Sequence, residues 1–170
     1  MMSAQDVLQV VGALRRAGIS VWLDGGWGVD ALVGAQTREH DDLDCVISIG
    51  DVQAAQTALA TFEFVTTEDE LPTRLVMREV DDRRVDFHTV TFDDKGGGVQ
   101  QLQDGTSWRY PAHSLLATGR ISGQPVPCLT VDVQALAHVG YEPDAKDVHD
   151  MQLLASHFGF ELPELYRETR

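Results

Sequence analysis

Two aspartates that bracket a leucine, Asp42 and Asp44, stand at the head of an apolar run that ends at Ile47. On a strand, alternate residues share a face, so both carboxylates point the same way. Two ionised carboxylates side by side repel each other unless a cation sits between them. Magnesium, with its preference for hard oxygen ligands and for substrate phosphates, suits such a pair. A third acid occurs in Arg84-Val85-Asp86-Phe87-His88, where Val85 and Phe87 face one side and Arg84, Asp86 and His88 the other. If this strand lies beside the Leu43 strand, Asp86 joins Asp42 and Asp44. Three carboxylates can hold two metal ions about 3.5–4 Å apart, the arrangement for in-line phosphoryl displacement. Asp86 would then be a ligand, or would accept the proton of an attacking hydroxyl.

The elements around these acids must position them. Val21, Trp22 and Leu23 read as a short strand that runs into Asp24-Gly25-Gly26, and Trp27 to Val33 as a helix ended by Gly34. A strand, a Gly-Gly turn and a helix start let backbone N–H groups approach a phosphate. Asp-x-Asp alone also occurs as a strand cap or in a solvated turn, and Gly-Gly alone says little. The ordered set is what points to chemistry. Residues 4 to 17 carry apolar side chains at helical spacing, and Asp51 reads as the N-cap of a helix with Val52, Ala55 and Leu59. Phe62 to Val65 reads as an edge strand, and Arg74 to Val80 with Arg84 to Val90 as a hairpin. Lys95 to Gly98 reads as a flexible connector, Ile121 and Val126 flank a second hairpin turn, and Val133 to Gly140 and Ala145 to Phe158 are helical. A short last helix follows Pro163. The fold class is therefore α+β, with an α/β-like first half: a mixed sheet flanked by helices, then a C-terminal hairpin and helical tail. Residues 1–95 form the catalytic core, and residues 96–170 an appendage that completes one compact domain.

Composition narrows the function. The chain has 170 residues, 43% hydrophobic and 24% charged, with a formal net charge of −14. That charge argues against duplex nucleic acid as a partner, which needs a basic face. It requires divalent cations beside any phosphate substrate. It also suits a cationic acceptor, although solubility explains an acidic surface equally well. No apolar run spans a membrane and no secretory leader is visible. Two cysteines, Cys45 and Cys128, make no disulfide framework, so the cytoplasm is the expected home. Gly26 to Ala31 also satisfies the G-x-G-x-x-A dinucleotide fingerprint, with Asp51 near the place of a ribose-binding acid. Against that reading, Asp51 is better placed as a helix cap and the later strands form a hairpin rather than parallel crossovers. There is no Walker A lysine motif.

The stretch from Gly25-Gly26 to Asp42-Leu43-Asp44 resembles the signature of the polymerase-β-like nucleotidyltransferase superfamily. More narrowly, residues 23–32 with Gln36 to Asp44 are similar to the lincosamide nucleotidyltransferases of the LinA type and their aminoglycoside-modifying relatives. The likeness continues in Val85 to His88, in Gly123 to Cys128, and in His138 to Tyr141 with Lys146-Asp147 and Asp150. It implies transfer of a nucleoside monophosphate from an NTP to a drug hydroxyl, with two magnesium ions. Asp42 and Asp44 would be metal ligands, Asp86 a ligand or general base, and Gly25, Gly26 and Trp27 the turn that holds the triphosphate. Other candidates each have a plain alternative. Arg38 would bind a phosphate or pair with Glu39 or Asp41. His40 would orient Asp42 or be an ordinary loop histidine. Arg74 would neutralise the triphosphate or be a solvated strand end. Lys146 would reach the triphosphate or be a surface lysine. His88 and Tyr141 are candidates for the acceptor, while Trp27, Trp108 and Tyr110 could stack on a base or an acceptor ring, with core packing the plainer role for Trp27. The acceptor does not carry over from the resemblance. A protein or tRNA acceptor, or a non-catalytic NTP-binding relative, is the alternative, and the oligomeric state, monomer or homodimer, is open.

Overall fold

Two neighbouring strands decide the layout. β2 (Asp42–Ser48) and β5 (Arg84–Phe92) run parallel, with Leu43 opposite Val85, Asp44 opposite Asp86 and Val46 opposite His88. Residues in register share a face, so Leu43, Cys45, Ile47, Val85 and Phe87 enter one core. The structure, a computed structural model, describes residues 1–167. It closes this core with α1 (Ala4–Arg16) and α3 (Val52–Ala60), which contribute Val7, Leu14, Ala55 and Leu59. The other face of the same strands is divided. One end carries Val46 and Val90, which pack with Tyr110, Leu129 and Val133 in a second, smaller core. The other end carries Asp42, Asp44, Arg84, Asp86 and His88.

The sheet is mixed. Its main path is β3 (Val65–Glu70), β4 (Arg74–Arg78), β5, β2, β1 (Val21–Leu23), β9 (Gln124–Cys128) and β8 (Ala117–Ile121). The hairpin of β6 (Gly98–Gln101) and β7 (Ser107–Tyr110) continues from the far end of β5. Among the described residues only β2–β5 and β1–β9 pair in parallel; the remaining pairs are antiparallel. Because β1 and β2 are antiparallel, no parallel crossover follows the Gly-Gly turn, which removes the dinucleotide fold. α2 (Gly25–Val33) springs directly from β1 and stops at Gly34, whose φ of 83° is the left-handed conformation glycine tolerates. α4 (Val131–Ala137) and α5 (Ala145–Phe158) follow, Asp144 and Asp147 form a capping box at the start of α5, and the short helix expected after Pro163 is the single 3-10 turn Glu164–Tyr166.

The expected elements reappear with local corrections. Asp51 stands at the head of α3 but its side chain makes no capping bond, because it is already part of a helical turn. The edge strand begins at Val65 instead of spanning Phe62 to Val65. Glu63 takes a φ of 64° and turns Phe64 into the core. Lys95 to Gly98 is the tight turn into β6, a strand that its glycines concealed. The fourth helix ends at Ala137, before Gly140. Tyr110 is buried in the second core, where it donates to Gln100 at 3.1 Å, and the partly buried Trp108 packs against that core; neither lines the cavity.

Candidate active site

Asp42, Asp44 and Asp86 are delivered to one end of one sheet face by strand alternation and by the parallel register of β2 and β5. Around Asp44 the acids crowd. Its partial withdrawal from water, together with the charges of Asp42, Asp24 and Asp86, pushes its pKa up to about 7 against the pull of His88. Asp86 is buried, and its Oδ2 accepts from Arg74 Nη1 at 2.8 Å and from Arg84 Nη2 at 3.1 Å. Its Oδ1 is buried with no hydrogen-bond partner. Arg84 Nη1 also lies 3.5 Å from Asp42 Oδ2. Among the described residues no three His, Cys, Asp or Glu side chains are closed into a ready-made metal-ligating group, so the expected triad is gathered on a face but not assembled as a cage. The donors nevertheless fit a hard divalent cation. An orphaned buried carboxylate oxygen and an aspartate destabilised by like charges are both relieved by one.

Behind the acids lies the turn between β1 and α2. Asp24 caps α2 by accepting from the Gly25 N–H at 2.8 Å, and its Oδ2 is 3.1 Å from His88 Nδ1. Burial opposes the Asp24 charge, but His88 and the Gly25 N–H hold its pKa below the usual carboxylate value. Burial likewise works against a charged His88, yet the bond to Asp24 and the charges of Asp24, Asp44 and Asp86 raise its pKa to about 9. Gly25 is required twice over. Its φ is 55°, and a Cβ there would stand 2.3 Å from Asp44 Oδ2. At Gly26 a Cβ would meet Arg38 Nη2 at 2.3 Å and His40 Nδ1 at 2.5 Å. The first N–H groups of a helix have no intrahelical partner, so those of Gly26 and Trp27 remain available to an anion.

The opposite wall is built from the loop before β2 and from α5. Arg38 donates two bonds to Asp150, Nε to Oδ1 at 2.9 Å and Nη2 to Oδ2 at 2.6 Å. Lys146 Nζ reaches Asp41 at 2.7 Å, and Thr37 lies 3.1 Å from His149. Asp30 fixes the same loop from within, accepting from Thr37 and bonding His40 Nε2 at 2.6 Å. Between the walls is a cavity of about 280 Å³, lined by Gly25, Gly26, Arg38, Asp44, His88 and Lys146 together with the acidic first turns of α5.

The structure therefore brings Gly25, Gly26, Arg38, Asp44, His88, Tyr141 and Lys146 to one cavity, with Asp42 and Asp86 on the adjoining sheet face. Trp27 contributes only its backbone, because its indole is buried against His40 in the main core. Arg38 pairs with neither Glu39 nor Asp41 side chains, and His40 bonds Asp30 in place of Asp42. Arg74 contacts three carboxylates and is no solvated strand end. Tyr141 donates to Asp147 at 3.0 Å at the cavity mouth. Four lining residues were quoted in the sequence motifs but not carried into the site: Asp24, His138, Asp147 and Asp150. The signal for Asp150 was an acid flanked by Met151 and Leu154 on the buried side of a helix, which needs a cationic partner.

The fold thus sets a sheet-borne group of aspartates toward a Gly-Gly helix turn. A family model described as aminoglycoside-2''-adenylyltransferase matches residues 6–154, and the chain belongs to that family. Among characterised relatives, a lincosamide resistance protein of Staphylococcus haemolyticus is 26% identical over 158 residues, covering 91% of this chain and 96% of that protein. A 2''-aminoglycoside nucleotidyltransferase of Klebsiella pneumoniae is 26% identical over 120 residues, covering 71% of this chain and 63% of that protein. The crystal structure of the lincosamide antibiotic adenylyltransferase LnuA with lincomycin bound shares the fold, with a TM-score of 0.82 at 24% identity over 91% of this chain and 98% of that one. The chain is an enzyme, a nucleotidyltransferase. No helix among its described residues is long and apolar enough to cross a membrane.

Proposed function

We propose that the enzyme transfers a nucleoside monophosphate from an NTP to a hydroxyl of an amine-bearing antibiotic of the aminoglycoside or lincosamide kind, releasing pyrophosphate. The observation that carries this reading is the register of Asp44 against Asp86, with Asp42 beside them, under the start of α2. Asp42, Asp44 and Asp86 would hold two magnesium ions. When bound, the ions supply charge neutralisation on the triphosphate and leaving pyrophosphate and make the acceptor hydroxyl more acidic. The N–H groups of Gly26 and Trp27 take phosphate oxygens, and Arg38 and Lys146 supply positive charge across the cavity. Asp86 is either a ligand or the acceptor of the hydroxyl proton. His88 and Tyr141 flank the acceptor. Asp144 and Asp147 on the cavity wall favour a polycationic aminoglycoside over a singly charged lincosamide. Residues 1–95 supply the acids and the Arg38 loop, and α5 within residues 96–170 supplies the rest of the second wall. The two buried free cysteines fit a reducing cytoplasm.

The test is pyrophosphate release and acceptor mass, using purified protein, magnesium and each of four NTPs against a panel of aminoglycosides and lincosamides, with Asp44→Asn as control. A nucleotide-sized mass gain on one drug, absent in the variant, is the expected result. Magnesium-dependent NTP binding with no gain on any drug would move the acceptor outside these classes.

A further inference from the structure

A row of alternating charge crosses four strands on the polar face of the sheet. Glu68 and Glu70 stand on β3, Arg74 on β4, Asp86 with Arg84 on β5, and Asp42 with Asp44 on β2. Register puts them on one face. Glu70 is opposite Arg74, Glu68 is opposite Val76, and Val76 is opposite Asp86. Arg74 is the joint. Its Nη1 donates to Asp86 Oδ2 at 2.8 Å, its Nε to Glu70 at 2.6 Å and its Nη2 to Glu68 at 2.6 Å. All three nitrogens of a rigid planar fork are thus committed to carboxylates. Arg84 grips the same Asp86 oxygen from the other side at 3.1 Å. The result is a carboxylate pinned by Oδ2 and orphaned at Oδ1.

We infer that Arg74, held in turn by Glu68 and Glu70, is a positioning residue that fixes Asp86 so that Oδ1 alone is left for the chemistry. The inference rests on the proposed role of Asp86. It also explains the edge strand: the acids of Thr66-Thr67-Glu68-Asp69-Glu70 make a poor apolar strand but a good anchor for one guanidinium. Misplacing a reacting group by a fraction of its contact distance is enough to slow a displacement without weakening substrate binding.

The experiment compares Arg74→Gln, Asp86→Asn and the double variant in pyrophosphate release with Mg-ATP and either lincomycin or tobramycin, alongside a crystal structure of Arg74→Gln. Arg74→Gln should lower kcat by about 10- to 100-fold, as loss of a partner that orients a ligand does, with the KM for ATP nearly unchanged. On the Asp86→Asn background the same change should cost almost nothing further, because the residue acts through Asp86. The crystal structure, which needs no acceptor, should show the Asp86 carboxylate rotated or spread over several orientations. A raised KM with kcat preserved, an equal loss on both backgrounds, or an Asp86 seated as before would each overturn the inference. Full turnover in Asp86→Asn would instead overturn the reading of Asp86 itself. If Arg74→Gln does not fold, Glu68→Gln with Glu70→Gln, both half-exposed, carry the test: lowered kcat at constant KM supports it and unchanged kcat refutes it.

Discussion

The two walls of the cavity are held by different means. The strand wall takes its acids from adjacent, fully hydrogen-bonded strands, so that Asp44 and Asp86 are placed by backbone register whatever their side chains prefer. The helix wall takes its cations from a loop and a helix start, Arg38 and Lys146, and each is held by an acid far away in sequence or on the facing element. The first wall is electrostatically loaded, with burial and then the neighbouring acids raising Asp44. The second is already neutralised, with Arg38 on Asp150 and Lys146 on Asp41. A substrate with phosphates and cations therefore gains most at the strand wall, and the helix wall supplies alignment.

If that contrast is right, substitutions on the strand wall should abolish chemistry while sparing the fold, and those on the helix wall should do nearly the reverse. The largest effect is expected from Asp42→Asn and Asp44→Asn, each lowering turnover by more than about 100-fold, since even partners of metal ligands commonly cost 10- to 100-fold. Thermal melting should be unchanged, and full activity in either variant would remove the metal assignment. Asp86→Asn should lower kcat by about 10²–10⁴-fold, the range for a general base, and should weaken NTP binding much less. A fall in ATP affinity as large as the fall in rate would place Asp86 with the substrate. Across the cavity, Asp150→Ala strands Arg38 and should cost about 3 kcal/mol of stability by denaturant titration, with residual turnover clearly above that of Asp44→Asn. A variant as stable as the parent would show the ion pair to be dispensable. The smallest effect lies outside both walls. Asp6 caps α1 through Ser3 and meets Arg83, and although burial opposes it, these bonds lower its pKa. A carboxyl depressed on folding stabilises above its unfolded value and loses that contribution as pH falls through the folded one. Asp6→Asn should therefore cost about 1 kcal/mol at neutral pH, with the difference from the parent shrinking below pH 3.8 and turnover unaffected. A change in kcat would mean that α1 communicates with the site.

Local pattern was enough to determine the strand wall. Alternation in residues 42–48 and 84–92 sorts apolar from acidic side chains, and the Gly-Gly turn after a strand requires close backbone approach. Both are properties of short segments, and they fix which residues can face together. Helix α5 was legible for the same reason, its apolar spacing and its capping acid lying within one segment. Sequence did not reveal the β6–β7 hairpin, because Gly98 and the polar residues around it carry no alternation, and β6 is held between β5 and β7 by pairing remote from any local signal. Nor did it reveal the partners of the charged residues. Arg38 finds Asp150 across 112 positions, and His88 finds Asp24 across 64. Arg74 is satisfied by acids on two different strands. Ion pairs depend on where side chains end in space, and in a chain with 27 acidic residues every cation has many candidate partners until the sheet order is set. Thus the sequence by itself determined which acids share a sheet face and where the Gly-Gly turn falls. Only the tertiary structure decided which arginine holds which acid, because that choice is made by the packing of strands and helices remote in the chain.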